Sequence, residues 1–177
     1  MLGCKMNNKF MWQRKHYNWP DMPKGYQNTI SGAYSIPVSE HGSFLDIGIT
    51  EAHLEEDPAK WDPVTGNVDY NRSGMPLIEI VTDPDFASAD QVVEWLNNLL
   101  LTLSYIKAVD PDAGIKADVN VSVSMGKKQG NRVEIKNINS IDSIRNAIGY
   151  EIKRQSKLLE DDEHIVRETR TYSDEQG

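Results

Sequence analysis

A stretch of strict alternation between apolar and polar residues, from Ile115 to Val123, constrains the fold more than any other feature of this sequence. Side chains alternate across a strand, so its apolar members share one face and its polar members the other. After a turn at 126–131 the alternation resumes around Val133 and Ile135, which predicts a hairpin. The polar face of this hairpin carries Lys116, Asp118, Asn120, Arg132, Glu134 and Lys136, a pattern that an ordinary solvated sheet also shows.

Two amphipathic helices flank the predicted hairpin. The first begins after Ser88, which has Gln91 at capping-box spacing, and its apolar residues recur every three or four positions. The second begins near Ser140 and runs to about Leu159, with Glu151 expected on an exposed face. Such apolar stripes must be buried, so the predicted fold class is α+β: a mostly antiparallel β-sheet with the two amphipathic helices packed on one face.

The first half of the chain has weaker periodicity. The segment 1–26 predicts an ordered loop in which interspersed aromatic rings pack onto the core. Two strands, Ser35–Val38 and Gly42–Thr50, are predicted around a turn at 39–42. The composition of 62–66 predicts another turn, and two more strands are predicted at Met75–Thr82 and Ile165–Tyr172. The aromatic rings of the first segment are Trp12, Tyr17, Trp19 and Tyr26.

Two acidic clusters stand out in this half. Glu55, Glu56 and Asp57 follow His53 closely, and Glu79 interrupts an otherwise apolar run. An ionised carboxylate buried without a partner costs several kcal/mol, so we expect Glu79 to face a cation, a hydrogen-bond donor or a wet cleft. Strands that bring the two clusters together would suit a hard divalent cation, whereas a solvated acidic turn explains the first cluster equally well.

Composition limits the possible partners and compartments. The net charge of −8 argues against a chain whose main surface clamps nucleic acid, because phosphate contacts need clustered lysine and arginine. One cysteine, Cys4, excludes an internal disulfide and suits a reducing compartment. No apolar run approaches the roughly 20 residues of a membrane span. We therefore expect a soluble, cytoplasmic protein with no membrane association.

Six motifs, in a consistent order, resemble the B subunit of the glutamyl/aspartyl-tRNA amidotransferase. The segment at 112–117 resembles the archaeal version of that family. The related archaeal E subunit is a weaker match, because the sequence EIKNINS at 134–140 fits the B subunit better. The motifs are RKHYNWPDMPKGYQ at 14–27, HLEED at 53–57, DYNRSGMPLIEIVTDPD at 69–85, KADVNVSV at 116–123, RVEIKNINS at 132–140 and ETRTYSDEQG at 168–177.

This resemblance implies a carbon–nitrogen ligase that acts in protein biosynthesis. Members of the family use ATP and Mg²⁺ to phosphorylate the side-chain carboxylate of misacylated Glu-tRNA(Gln) or Asp-tRNA(Asn). Ammonia then displaces the phosphate to form the amide. The implied partners are a glutaminase A subunit, which releases the ammonia from glutamine and passes it through a channel, a small C subunit, and the misacylated tRNA.

The resemblance also implies roles for particular residues. It assigns Glu56, Glu79 and Asp118 as catalytic residues, and Glu56 and Glu79 also as Mg²⁺ ligands. The ammonia channel would be lined by Lys15, Lys24, Asp118 and Glu56. Glu134 and Lys136 match positions at which we expect contacts to the nucleotide.

The resemblance covers residues 1–177 as the central part of the catalytic domain. We expect further metal ligands of the family to lie in an N-terminal segment before Met1, and its cradle and tail domains beyond Gly177. Two interpretations follow. The chain is either part of an amidotransferase that is competent once those segments are supplied, or a non-catalytic scaffold that binds a partner. Magnesium binding distinguishes them.

Overall fold

A computed structural model of the chain describes residues 1–173, the side chains of Pro111 and Asn137 excepted. The end of the last sequence motif, 174–177, lies outside the described residues. The chain forms two compact units, Met1–Asp85 and Phe86–Gly177. Strands, mostly antiparallel, and two long helices make up these units, which confirms the α+β prediction.

The first unit is organised around one ten-residue strand, β5. Along one edge β5 (Ile47–Glu56) pairs antiparallel with β8 (Pro76–Thr82). Along the other edge it pairs first with β4 (Ser39–Phe44) and then with β3 (Tyr26–Thr29). Two further strands, β1 and β2, extend the sheet beyond β4 and β3. The strands of this unit are β1 (Lys5–Met6), β2 (Gln13–His16), β3 (Tyr26–Thr29), β4 (Ser39–Phe44), β5 (Ile47–Glu56), β6 (Lys60–Trp61), β7 (Val68–Asp69) and β8 (Pro76–Thr82).

The turn before β5 is not where the sequence predicts it. The segment 39–42 lies inside β4, and the chain reverses at Leu45 and Asp46 instead. Both residues have positive φ, 49° and 63°, as a two-residue hairpin turn requires. Leucine seldom adopts that conformation, so composition gives no signal here. The turn predicted at 62–66 is confirmed, because the carboxylate of Asp62 accepts hydrogen bonds within it.

The N-terminal segment also departs from the prediction. It contains β1 and β2, and the second of these pairs with β3 along its whole length. The aromatic rings do not pack into the core: Trp12 is 45% exposed and Trp19 is 54% exposed, the latter edge-on to Trp61. The short strands β1 and β2 lie at the margin of the sheet.

The second unit contains the predicted hairpin. Its two long strands, β9 and β12, pair antiparallel, with an irregularity between Ile135 and Ile138. The final strand, β13, is shorter than predicted and pairs parallel with β12. Among the residues that the structure describes, no helix has the length and apolar character needed to cross a membrane. The elements are α1 (Ala89–Tyr105), β9 (Ala117–Val121), β10 (Ser124–Met125), β11 (Lys128–Gln129), β12 (Val133–Ile138), α2 (Ile141–Glu160) and β13 (Thr169–Thr171).

Both helices begin as the sequence predicts. Ser88 and Ser140 each accept a hydrogen bond from the backbone N–H three residues later, which caps the helix. The core of this unit packs apolar residues of α2, such as Ile144, against Val121 of β9 and Ile135 of β12.

The prediction for Glu151 is wrong. Its side chain is 1% exposed, not on a wet face, and it accepts two hydrogen bonds from Arg154 and one from Gln155. Gln155 is itself fully buried and donates to the backbone oxygen of Val121. A buried carboxylate is tolerated when its oxygens are paired in this way.

Candidate active site

The strand β5 changes from apolar to charged along its length. Ile47 and Ile49 are buried in the core of the first unit. An irregularity in the pairing with β8 follows, between Ile49 and Glu51. Alternate residues share a strand face, so Glu51, His53 and Glu55 form one row beyond it. This row places an imidazole and two carboxylates on one side of the sheet.

The partner strand adds a third carboxylate to this row. Glu79 of β8 lies directly opposite His53 in the antiparallel register. Its carboxylate is 3.1 Å from His53 Nε2, and a Glu55 oxygen is 3.8 Å from the same nitrogen. The expectation that Glu79 faces a cation or a donor is confirmed. One ligand atom from each of these three side chains lies within 4.8 Å of the other two.

The imidazole of His53 is held in its charged form. Burial by itself lowers the pKa, since His53 is only 2% exposed, but hydrogen bonds and negative charge from Glu55 and Glu79 outweigh it and raise the pKa to about 10. Nδ1 lies 3.2 Å from a carboxylate oxygen of Glu51 without hydrogen-bond alignment. Negative charge therefore lies close to both ring nitrogens, although only Nε2 makes a hydrogen bond to it.

Neighbours on β3 support the Glu55 carboxylate. Thr29 Oγ1 donates to one oxygen at 2.8 Å, and Gln27 Nε2 lies 3.5 Å from the other. Burial raises the pKa of Glu55, but the hydrogen bonds from His53 and Thr29 and the positive charge of His53 have the larger combined effect, so its pKa is lowered. The group is ionised at neutral pH.

Glu56, the next residue, has different surroundings. Lys24 Nζ lies 2.5 Å from one of its carboxylate oxygens, and Asn28 donates a side-chain hydrogen bond to the other at 3.0 Å. The hydrogen bond from Lys24 lowers the pKa of Glu56, with smaller contributions from Asn28. The structure thus joins two of the predicted channel residues, Lys24 and Glu56, in an ion pair.

Glu56 is not in the group formed by His53, Glu55 and Glu79. Its assignment as a metal ligand, made from the resemblance, stays a prediction. Lys15, on β2, lies with its Nζ 6.0 Å from the ring centroid of Tyr17, and its charge also helps to lower the pKa of Glu55. Among the described residues, no hydrogen bond or ion pair joins Lys15 to the Lys24–Glu56 pair.

Asp118, Glu134 and Lys136 meet within the second unit. Lys136 Nζ is 2.9 Å from Asp118 and 3.5 Å from Glu134, on the polar face of the β9–β12 pair. The hydrogen bond to Asp118 raises the pKa of Lys136, against a smaller opposing effect of burial. Thr169 of β13 donates to the other oxygen of Glu134. Three of the six residues of the predicted polar face are therefore connected, with Thr169 added from β13.

The sequence predicted Glu79 and Glu56 as site residues. It did not predict His53, Glu55 or Thr29. The available signal was alternation. In a strand, His53 and Glu55 share a face and Glu56 takes the other, so the pairing of His53 with Glu79 would have selected Glu55. Thr29 lies on a strand that is distant in sequence, and no local pattern marks it.

The three grouped side chains fit a divalent cation. Carboxylate oxygens from Glu55 and Glu79 are the ligands that Mg²⁺ prefers. The imidazole nitrogen of His53 suits a transition metal as a direct ligand, or Mg²⁺ as a hydrogen-bond partner of a metal-bound water. A cation bound directly by Nε2 would replace the proton on that nitrogen, because a ligating histidine is neutral.

The fold and this site define an α+β domain with a candidate divalent-cation site on its main sheet. The model of the GatB/GatE catalytic domain matches residues 1–177, and the chain belongs to that family. This result confirms the resemblance seen in the motifs.

Archaeal relatives support the same assignment. The chain is 49% identical to the B subunit of the aspartyl/glutamyl-tRNA(Asn/Gln) amidotransferase of Methanococcus aeolicus, over 99% of this chain and 37% of that protein. It is 46% identical to the corresponding protein of Methanopyrus kandleri, over 100% of this chain and 37% of that protein. The chain thus spans little more than a third of the length of the curated relatives that it matches.

Proposed function

We propose that this chain carries the amide-forming part of a tRNA-dependent amidotransferase. Its substrates would be ATP, ammonia and a tRNA misacylated with glutamate or aspartate. The observation that carries this proposal is the convergence of His53, Glu55 and Glu79 on one point, in a chain of the GatB/GatE catalytic family.

The proposed reaction has two steps. A carboxylate oxygen of the aminoacyl side chain attacks the γ-phosphorus of ATP, and the bond from that phosphorus to the bridging oxygen breaks to release ADP. Ammonia then attacks the acyl carbon, phosphate leaves with the electron pair of the C–O bond, and a proton is lost from nitrogen. Activation is needed because a carboxylate is a poor electrophile.

We propose that Glu55, Glu79 and His53 hold the Mg²⁺ ion used in the first step. When bound, a divalent cation neutralises charge on the phosphoryl group during its transfer. The protein's own contribution is to keep both carboxylates ionised and aimed at one point. The hydrogen bonds of Glu55 and its lowered pKa support that role.

The Lys24–Glu56 pair is our candidate for the passage of ammonia, with Lys15 as a further lining residue, whereas the channel role of Asp118 stays a prediction from the resemblance. An acid and a base in contact can exchange protons with ammonia through hydrogen bonds. The 2.5 Å contact between Lys24 and Glu56 supports this assignment. The ammonia would come from a glutaminase subunit, since the relatives are named as subunits of an amidotransferase.

Contacts to the phosphates of ATP are proposed for Lys136, with Glu134 holding it. Lys136 is half-exposed on the polar face of the second unit, and its raised pKa keeps it charged. A lysine acts on phosphate as a point charge.

The test is calorimetry of Mg²⁺ and ATP binding to this chain, compared with Glu56→Gln and Glu79→Gln. Saturable, metal-dependent binding that Glu79→Gln abolishes is the expected result. A folded wild-type chain that binds neither ligand would contradict the proposal for this chain and favour the scaffold interpretation. In the assembled amidotransferase, Glu79→Gln should abolish phosphoryl transfer, and retained transfer would contradict the assignment of Glu79.

A further inference from the structure

Thr29 makes the shortest hydrogen bond to Glu55. It lies directly opposite Glu55 in the register of β3 and β5, and only 1% of it is exposed. Its Oγ1 is 2.8 Å from Glu55 Oε1. The other neighbouring donor, Gln27 Nε2, is 3.5 Å from Glu55 Oε2 and makes a shorter bond, 2.9 Å, to the backbone oxygen of Glu56. The orientation of the Glu55 carboxylate therefore depends mainly on Thr29 and His53.

The direction of this hydrogen bond is fixed by its neighbours. A hydroxyl has one proton to donate, and an ionised carboxylate can only accept. Thr29 Oγ1 accepts from the backbone N–H of Ser31 at 3.2 Å and lies 2.9 Å from the Ser31 hydroxyl. Because the Thr29 hydroxyl donates its one proton to Glu55, it must accept a hydrogen bond from Ser31 Oγ as well. The result is a short chain of donors that ends on Glu55.

We propose that Thr29 is a positioning residue, which fixes the Glu55 carboxylate in the orientation that binds a divalent cation together with Glu79 and His53. This inference rests on the proposed function of that group. The physical reason is that an unsupported glutamate samples several rotamers, whereas one held by a buried, charge-assisted hydrogen bond does not. Thr29 would act through Glu55 and need not touch the cation.

The test is a titration of this chain with Mn²⁺, followed by electron paramagnetic resonance of the free ion. Thr29→Val keeps the shape of the side chain and removes the hydroxyl, and should weaken Mn²⁺ binding by about tenfold or more, as for other groups that support metal ligands. Thr29→Ser restores the hydroxyl and should recover binding to within about twofold of wild type. Thr102→Val is the matched control, because the Thr102 hydroxyl donates to the backbone oxygen of Asn98 within α1, and its removal should leave Mn²⁺ binding unchanged.

Equal Mn²⁺ affinity in Thr29→Val and wild type would overturn the proposal, as would an equal loss in Thr29→Ser. If Thr29→Val fails to fold, Ser31→Ala removes one donor to Thr29 and should weaken binding by a smaller factor; an unchanged affinity there would count against the donor chain.

A crystal structure of Thr29→Val separates this proposal from the proposed function. If wild type binds no Mn²⁺, the assignment of the cation site fails by itself. The orientation of the Glu55 carboxylate in the variant then tests the positioning role of Thr29. An unchanged orientation in Thr29→Val would overturn that role, and a displaced or disordered carboxylate would support it.

Discussion

Glu55 and Glu56 are neighbours on β5, yet their carboxylates lie on opposite faces of the sheet of the first unit. Glu55 contacts Thr29 and lies near His53, whereas Glu56 contacts Lys24. The period of two in a strand produces this separation. Glu55 and Glu56 therefore have different surroundings: Glu55 belongs to a candidate cation site, and Glu56 forms an ion pair with a lysine.

The first prediction compares the two acids directly. Glu55→Gln should weaken Mn²⁺ binding to this chain by at least about tenfold, because an amide oxygen is a weaker ligand than a carboxylate and carries no charge. Glu56→Gln should weaken it less, since Glu56 lies outside the grouped ligands. Calorimetry of both variants measures the difference, with Glu94→Gln on the exposed face of α1 as the control. A larger loss in Glu56→Gln would instead support the metal role that the family resemblance implies for that residue.

Local pattern was enough to predict much of the fold. The β9–β12 hairpin and both helices follow from periodicity and capping, which are encoded within about twenty residues. The reversal at Leu45 and Asp46 does not follow, because the conformation of these residues is imposed by the pairing of β4 with β5. What needed the structure at the site is the register of β5 and β8, which places Glu79 opposite His53 and so selects Glu55 over Glu56.

The burial of the Glu151 carboxylate is a second feature that could not be predicted from the sequence. Glu151 matches the exposed face of an amphipathic helix, and only its partners show why it is buried. Arg154 and Gln155 are close in sequence, but Arg170, 3.8 Å away, comes from β13. Helical periodicity identifies the apolar stripe and carries no information about a strand that returns from elsewhere to cover a charged position.

The second prediction concerns this carboxylate. Glu151→Gln should destabilise the second unit by about 1–3 kcal/mol, because Arg154 keeps only its more distant charged partner, Glu168 at 3.4 Å, and the remaining amide cannot satisfy the same donors. Urea unfolding followed by far-UV circular dichroism measures the loss, since both helices of the described residues belong to this unit. Glu160→Gln, at the exposed end of α2, should cost little. Equal stability of the two variants would show that the buried network contributes nothing net.

The third prediction concerns the lysine of the polar face. Asp118→Asn should lower the pKa of Lys136 toward its ordinary value of 10.5, because the hydrogen bond and charge of Asp118 are the main causes that raise it. An NMR titration of the Lys136 side chain detects the shift. Asp112→Asn, at an exposed position in the same unit, should leave the titration unchanged. An unaltered pKa in Asp118→Asn would mean that Glu134 alone holds the lysine.

The last prediction concerns pH and the His53 cluster. In the folded chain the pKa of His53 is about 10, and its ordinary value is 6.5. A raised pKa contributes stability that is fully present below the unfolded value and is lost as pH rises through the folded value. Between pH values of about 6 and 9 the first unit should therefore lose on the order of 1 kcal/mol of stability, a modest figure because Glu79 is half-exposed and screened by water.

Urea unfolding at the two pH values, with EDTA present, tests this expectation. Tryptophan fluorescence reports mainly on the first unit, which contains Trp12, Trp19 and Trp61. His53→Gln removes the titrating group, so its stability should depend less on pH over this range than that of wild type. The pKa of Glu55 is lowered, so it stays ionised across the range and does not mask the effect. If wild type and His53→Gln lose the same stability between these pH values, the ion pairs of His53 are not what couples folding to protons here.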